Sequence, residues 1–283
     1  MGRGDFSRLL TLVLLLLALA AVPEKDLPGC SVLEPLLAKA SAHFAPMQAG
    51  YNQQEVPDEI TFEEEPPFSD EQLQVATPYA FRLETDTVFS GDKSGRFELR
   101  YGDPQVQHGT RAELIVHGRP SGDERWYRFA LYAPATGYAP DTASDVISQW
   151  WQTSRSTQAT SLRVLNDRLI LRTGAHPDSL EEVDIGRLQK NTWQVFVFHF
   201  IHSAGPEGLL EVWCNGKKLL QRRGGNMYAM RLPYWKVGIY KASWNNGKTA
   251  AAKRVLFFDN ILISDTAIYT AKADQDHKVP SLK

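Results

Sequence analysis

The chain has 283 residues, 43% hydrophobic and 23% charged, enough to bury a sizeable core in one large domain or two small ones. Its 31 basic and 33 acidic side chains leave a net charge of −2, which argues against a nucleic-acid partner, because such proteins are basic overall. Attraction for an anionic ligand therefore has to come from a local strip rather than from the whole surface.

The N-terminus carries Arg3 and Arg8, then an apolar run from Leu9 to Ala21, then Val22-Pro23 and the charged residues Glu24, Lys25 and Asp26. That order is the order of a secretory signal peptide, with a small-residue cleavage site at Ala18-Leu19-Ala20, so residues 1–20 are read as removed on export. Removal takes away Arg3, Arg8 and Asp5, leaving 29 basic and 32 acidic side chains, a net charge of −3. The run is short for a bilayer span, and no later stretch approaches the roughly 20 apolar residues that a transmembrane helix needs. The expected product is a secreted monomer with no membrane attachment. Cys30 and Cys214 meet an oxidising compartment and could close one long loop, but spacing alone does not establish the geometry.

Residues 31–44 (SVLEPLLAKASAHF) have helix-like apolar spacing that Pro35 keeps short. The stretch from there to about Ser69 is rich in Pro, Gln and Glu, and residues 21–69 read as an N-terminal extension made of a short helix and a linker. From residue 70 to 283 the grammar is that of strands. RFELRYGD, TRAELIVHG, RWYRFALYAP, DVISQWWQ, SLRVLNDRLILRTG, TWQVFVFHFIH, GLLEVWCNGKKLL, YWKVGIYKASW and RVLFFDNILISD alternate apolar and polar residues between turn signals. Asn215-Gly216 is the strongest of these turns, because a type I′ hairpin needs positive φ at both central positions. No ten-residue helical patterns separate the strands, so two packed antiparallel sheets, an all-β jelly-roll sandwich, are expected.

Parity along the strands separates core from polar faces. In QHGTRAEL, Arg111 and Glu113 share one face while Ala112, Leu114 and Val116 share the other. In VISQWW, Ile147, Gln149 and Trp151 share a face; in YWKVGIYKASW, Trp235, Val237 and Ile239 form the core side, so Tyr234, Lys236, Gly238 and Tyr240 look away from it. Tyrosines, a tryptophan, an amide and cations on one sheet face suit a sugar chain, since rings stack on sugars while guanidinium and amide groups fix hydroxyls and carboxylates.

HGTRAEL, ISQWW, GLLEVWCNGKKL, YWKVGIYKASW and RVLFFDNILISD occur in the order and approximate spacing seen in the heparin-lyase-I-like polysaccharide lyases, and the chain resembles that group, which includes glucuronan lyase and is similar in fold to the jelly-roll alginate lyases. The resemblance runs from about residue 78 to 268. It implies a concanavalin A-like jelly roll whose concave face cleaves an acidic polysaccharide by β-elimination. In the alginate-lyase relatives an Arg-x-Glu-Leu strand, a Gln-x-His strand and a Tyr-x-Lys-x-Gly-x-Tyr strand line the cleft. Arg111, Glu113 and Leu114 match the first; Tyr234, Lys236, Gly238 and Tyr240 match the third. The middle strand departs, with Gln149 present and Trp151 standing where many relatives have the histidine that serves as base. His108, three residues before Arg111, is the substitute, as the glucuronan-lyase branch carries a histidine just before this strand.

On that resemblance the roles are His108 as base, Tyr240 as acid or as both base and acid, and Arg111 and Gln149 as neutralisers of the uronate carboxylate. Lys236 would bind a neighbouring carboxylate and hold Tyr240 near ionisation, with Trp151 and Tyr234 as stacking rings. Glu113 fits a same-face ion pair with Arg111 as well as a contact to substrate, and His108 beside Gly109 also suits a mere turn. His199 and His202 lie on opposite faces of VFVFHFIH; His199 could reach the cleft, and one of the two reads as a structural histidine. No cofactor is required, but Asp259 in FFDN is a candidate ligand for a structural calcium, an ion that takes about 6–8 oxygens. Two other functions remain. A noncatalytic carbohydrate-binding or laminin-G-like module would show the same alternation without needing His108, Gln149 and Tyr240 together. A retaining hydrolase would need paired carboxylates from a Glu-x-Asp-x-x-Glu run, which does not occur.

Overall fold

The alternation seen in the sequence becomes two antiparallel sheets in the computed structural model, which describes residues 59–64, 68–116, 122–152 and 157–268. These belong to the second of two units, Glu55–Lys283. The signal segment, the expected helix at 31–44 and Cys30 lie outside the described residues.

In chain order the strands are β1 (Glu59–Ile60), β2 (Leu73–Gln74), β3 (Phe81–Glu84), β4 (Ser94–Arg100), β5 (Arg111–Val116), β6 (Glu124–Tyr132), β7 (Asp145–Trp151) and β8 (Thr160–Leu165). They continue with β9 (Arg168–Thr173), β10 (Glu181–Arg187), β11 (Trp193–Ile201), β12 (Leu209–Cys214), β13 (Lys217–Arg223), β14 (Tyr234–Tyr240) and β15 (Lys253–Ser264). One sheet runs β13-β12-β11-β6-β15-β4-β3, with β1 paired to β15; the other runs β10-β9-β8-β7-β14-β5-β2. This is the expected all-β jelly-roll sandwich. Its start differs from the expected boundary at residue 70: Glu59 and Ile60 pair with Leu262 and Ile261, and Phe62 sits in the core. A two-residue strand carries too little alternation to be read in a Pro- and Glu-rich stretch.

The inner faces meet through aromatic rings. Trp150 of β7 packs against Phe198 and Phe200 of β11 at 4.9 and 4.6 Å between ring centroids, and Trp235 of β14 packs against Tyr127 of β6 at 5.1 Å. Trp235 brings a polar N–H into this core and satisfies it on Ser148 Oγ at 2.8 Å. Because Trp235, Val237 and Ile239 point inward with Ala112, Leu114 and Val116, the residues between them are committed to the outer face of the same sheet.

β7 departs from simple alternation. Val146 pairs with Arg163 and Ser148 with Leu162, so Ile147 has no opposite residue: it is a β-bulge. Ile147 therefore joins the core rather than the face it was expected to share with Gln149 and Trp151, and the bulge resets the parity for the two residues beyond it.

β14 carries a second irregularity. Gly238 has φ +130°, and a Cβ there would fall 2.3 Å from the Ala112 carbonyl oxygen and 2.7 Å from Glu113 Cα. Only glycine permits this approach of β14 to β5. Gly238→Ala is expected to lower unfolding free energy by about 2–4 kcal/mol, read as a lower urea midpoint at unchanged slope.

His202, at the end of β11, is the structural histidine: its Nε2 lies 2.8 Å from the Tyr127 hydroxyl and its ring stacks on Phe200 at 4.5 Å. Burial pushes its pKa from 6.5 down to about 3. The unfolded chain thus binds more protons than the folded one between these values, so stability falls as pH drops through that window, by up to about 1.4 kcal/mol per pH unit. Urea titrations of His202→Gln should show a shallower loss of stability below pH ~6.5 than the parent.

Candidate active site

The outer face of the seven-stranded sheet carries the residues singled out by parity, arranged in cross-strand rows. In one row Arg111 pairs with Tyr240, Tyr240 with Val146 and Val146 with Arg163. In the next, Lys236 pairs with Gln149, Gln149 with Ser161 and Ser161 with Arg172. Tyr234 and Trp151 form a third.

Glu113 is the hub. It is 1% exposed, and its carboxylate accepts from Arg111 Nη1 at 3.0 Å and from Gln149 Nε2, with Lys236 Nζ at 3.9 Å. Lys236 Nζ donates to Gln74 Oε1 at 2.8 Å, and Gln74 Nε2 donates to Gln107 Oε1 at 2.7 Å. A chain of polar contacts thus runs from β14 through β2 to the turn before β5. Burial lowers the Lys236 pKa.

Glu113 makes the expected same-face ion pair with Arg111 and is buried. Lys236, expected to bind a neighbouring carboxylate of the substrate, is 2% exposed and holds neighbouring side chains. Lys236 also lies near the Trp151 and Tyr234 rings, 5.7 and 5.6 Å from their centroids, so it supports the aromatic row rather than Tyr240. Gln149 is fully buried, its amide nitrogen engaged by Glu113 and its Oε1 without a hydrogen-bond partner, so it positions Glu113 from beneath.

The cation beside Tyr240 is Arg111, whose Cζ lies 4.5 Å from the ring centroid. A Cβ on Gly109 would fall 2.6 Å from Arg111 Nη2 and 2.8 Å from Tyr240 Cε2, which places the 106–109 turn directly on this pair. Gln107 and His108 are the central residues of that turn, with φ 46° and 62° and Val106 and Gly109 exchanging both backbone hydrogen bonds, a type I′ hairpin. His108 is exposed at its tip. Its backbone shapes the turn whose Gly109 lies against the Arg111–Tyr240 pair. Asn245 Oδ1 steadies the strand start, accepting from the Thr110 N–H and hydroxyl at 2.8 and 2.9 Å.

His199 is not part of this cluster. Its strand, β11, belongs to the eight-stranded sheet; Phe198 and Phe200 point into the core, so His199 faces outward on the far side of the sandwich. There its Nδ1 and Nε2 contact Glu211 and Glu124 at 2.8 and 2.9 Å, and Trp126 stacks on it at 4.1 Å. Asp259 Oδ2 accepts from the Phe89 and Ser90 N–H groups and its Oδ1 from the Asn260 N–H, and among the described residues no group of three or more His, Cys, Asp or Glu side chains is placed to hold a metal ion. Cys214 Sγ accepts from Gln194 Nε2 at 3.6 Å, and burial pushes its thiol up to about 11.

Sequence reasoning did not single out Gln74, Asn245, Arg163 or Arg172. The two arginines were open to the same parity test, since Leu162, Val164, Leu169 and Leu171 are the core residues of β8 and β9.

No curated protein sequence matches the chain. Among solved structures, the endo-β-1,4-glucuronan lyase of the fungus Trichoderma reesei superposes with a TM-score of 0.59 at 17% identity, over 69% of this chain and 90% of that one. The catalytic domain of a glycoside hydrolase family 131 protein from Coprinopsis cinerea superposes with a TM-score of 0.52 at 12% identity, over 70% of this chain and 84% of its own. At these identities the superpositions establish the fold, which lyase and hydrolase share. The sequence model of the polysaccharide lyases, by contrast, matches residues 58–262, from the first strand to the last, and on that match the chain belongs to the polysaccharide lyase family.

Proposed function

We propose that the enzyme is exported and cleaves a uronic-acid polysaccharide, of which glucuronan and alginate are the leading candidates, by β-elimination on the outer face of the seven-stranded sheet. The observation that carries this is the contact of the Arg111 guanidinium with the Tyr240 ring, against which Gly109, the residue after His108, is packed.

The chemistry follows from the uronate. Its C5 proton is weakly acidic while the adjacent carboxylate is charged, so a cation must offset that charge. Arg111 is anchored by Glu113 through Nη1 and, at 8% exposed, is the least buried of the four side chains in the cluster. It is the donor for the substrate carboxylate, with Gln149 and Glu113 holding it in place. His108 takes the C5 proton; the C5–H electron pair forms the C4–C5 double bond, the C4–O4 bond breaks, and Tyr240 donates its proton to the departing O4. Atoms balance without water or an oxidant. Trp151 and Tyr234 offer the aromatic row against which a sugar ring stacks.

The test is the growth of the ultraviolet band of unsaturated uronic acids on a panel of polyuronides. The parent should produce it on at least one; a noncatalytic module or a hydrolase would produce none. Tyr240→Phe keeps the ring and removes the hydroxyl, so it should abolish turnover while leaving the melting temperature close to that of the parent. His108→Ala should lower kcat by about 10²–10⁴-fold. A loss below about tenfold would move the base role to Tyr240, and substantial activity in Tyr240→Phe would contradict the scheme.

A further inference from the structure

Two arginines outside the Glu113 cluster make no ion pair among the described residues, although Glu182 stands cross-strand from Arg172 on β10. Arg163 of β8 donates from Nε to Ser161 Oγ at 3.0 Å, from Nη1 to Ser144 Oγ at 3.3 Å and from Nη2 to Gln158 Oε1 at 3.2 Å. Arg172 of β9 donates from Nη2 to the same Gln158 Oε1 at 2.9 Å and to Thr157 Oγ1 at 2.5 Å, while its Nε is buried with no partner. Every one of these acceptors is neutral. Glu182 forms no ion pair with either guanidinium, and its charge, which favours theirs, does not make up for their burial.

That arrangement is unfavourable to the protein alone. Burial lowers the pKa of both arginines, Arg163 to about 10, and the charge of Arg172 adds to the effect on Arg163. Elsewhere the chain handles buried arginine differently: Arg254, fully buried, meets Asp145 at 2.7 Å and Asp141 at 3.2 Å. Arg163 and Arg172 are instead held side by side by one amide oxygen, partly exposed, on the face that carries Tyr240. A neutral scaffold orients the guanidinium groups and leaves their charge for something else to neutralise.

We propose that Arg163 and Arg172, bridged by Gln158, form a second carboxylate-binding subsite that holds the uronate of a neighbouring sugar in the polysaccharide. This rests on the reading of the substrate as a polyuronide. The register places the subsite relative to the reacting centre: Arg163 is two strands from Tyr240 and Arg172 two strands from Gln149, ~10 Å across the sheet in each case. The chain therefore runs across β14, β7, β8 and β9, with the reacting uronate at Arg111 and another carboxylate at the arginine pair. A planar guanidinium fork matches a carboxylate in two parallel hydrogen bonds, which favours a polymer charged along its length over one bearing isolated uronates.

The test compares the parent with Arg163→Gln, Arg172→Gln and the double variant, checked by melting temperature. On a homopolyuronide the double variant should raise KM about tenfold, equivalent to about 1.4 kcal/mol of binding, with a smaller change in kcat and a weaker dependence of kcat/KM on salt. On an alternating polymer, with a uronate at every second sugar, the same variant should change KM less. Calorimetry with a homopolyuronide oligosaccharide in the Tyr240→Phe background reads the subsite without turnover, and there the arginine variants should bind about tenfold more weakly. Should the double variant fail to fold, the single variants carry the same comparison. Unchanged KM and affinity in folded variants would overturn the subsite while leaving the lyase reading intact. A parent that releases no unsaturated ends but binds the oligosaccharide through these arginines would overturn the lyase reading and leave the subsite standing.

Discussion

A carboxylate that is almost wholly removed from water organises this face. An ion buried without partners costs several kcal/mol, so Glu113 must be met by donors, and Arg111 and Gln149 meet it with Lys236 nearby. Each of those side chains comes from a different strand of one sheet, so a single acidic residue ties β5, β7 and β14 together at their outer surfaces. The backbone is shaped to the same end: Gly238 lets β14 approach the Glu113 backbone, and the bulge at Ile147 resets β7 so that Gln149 points at the carboxylate. Arg111 is then held in one orientation, with its guanidinium against Tyr240.

From that anchor the face divides by chemistry. Beyond Lys236 lie the Trp151 and Tyr234 rings, suited to the apolar face of a sugar. Beyond Val146 and Ser161 lie Arg163 and Arg172, suited to charge. The His108 turn closes over the Arg111–Tyr240 pair between them. A jelly roll does not choose between lyase and hydrolase, since both chemistries occur on it; the choice lies in which side chains occupy these rows.

Much of this was legible in the alternation. Nine strand-like segments cover β4 to β9 and β11 to β15, and the inward set Trp235, Val237 and Ile239 commits Tyr234, Lys236 and Tyr240 to the outer face by parity alone. The short strands β1, β2 and β3 were not legible, and neither were three features of the longer ones. β10 has Ile185 as its one fully core residue and runs along an edge, so its period is faint. The bulge at Ile147 inserts one residue without a turn signal, and parity counted through it fails. Burial of Gln149, Glu113 and Lys236 depends on neighbours from other strands, Gln74 above all, which spacing along one strand cannot reveal. His199 shows the same limit: its parity was outward, but which sheet its strand joined decided which side of the sandwich it faced.

The central claim is removal of the C5 proton, and the most direct measurement follows that atom. A polyuronide deuterated at C5 should release one deuterium to solvent for each linkage cleaved, with a slower rate than the unlabelled polymer and an unsaturated sugar at each new end. Cleavage that keeps the deuterium at C5 would contradict the account.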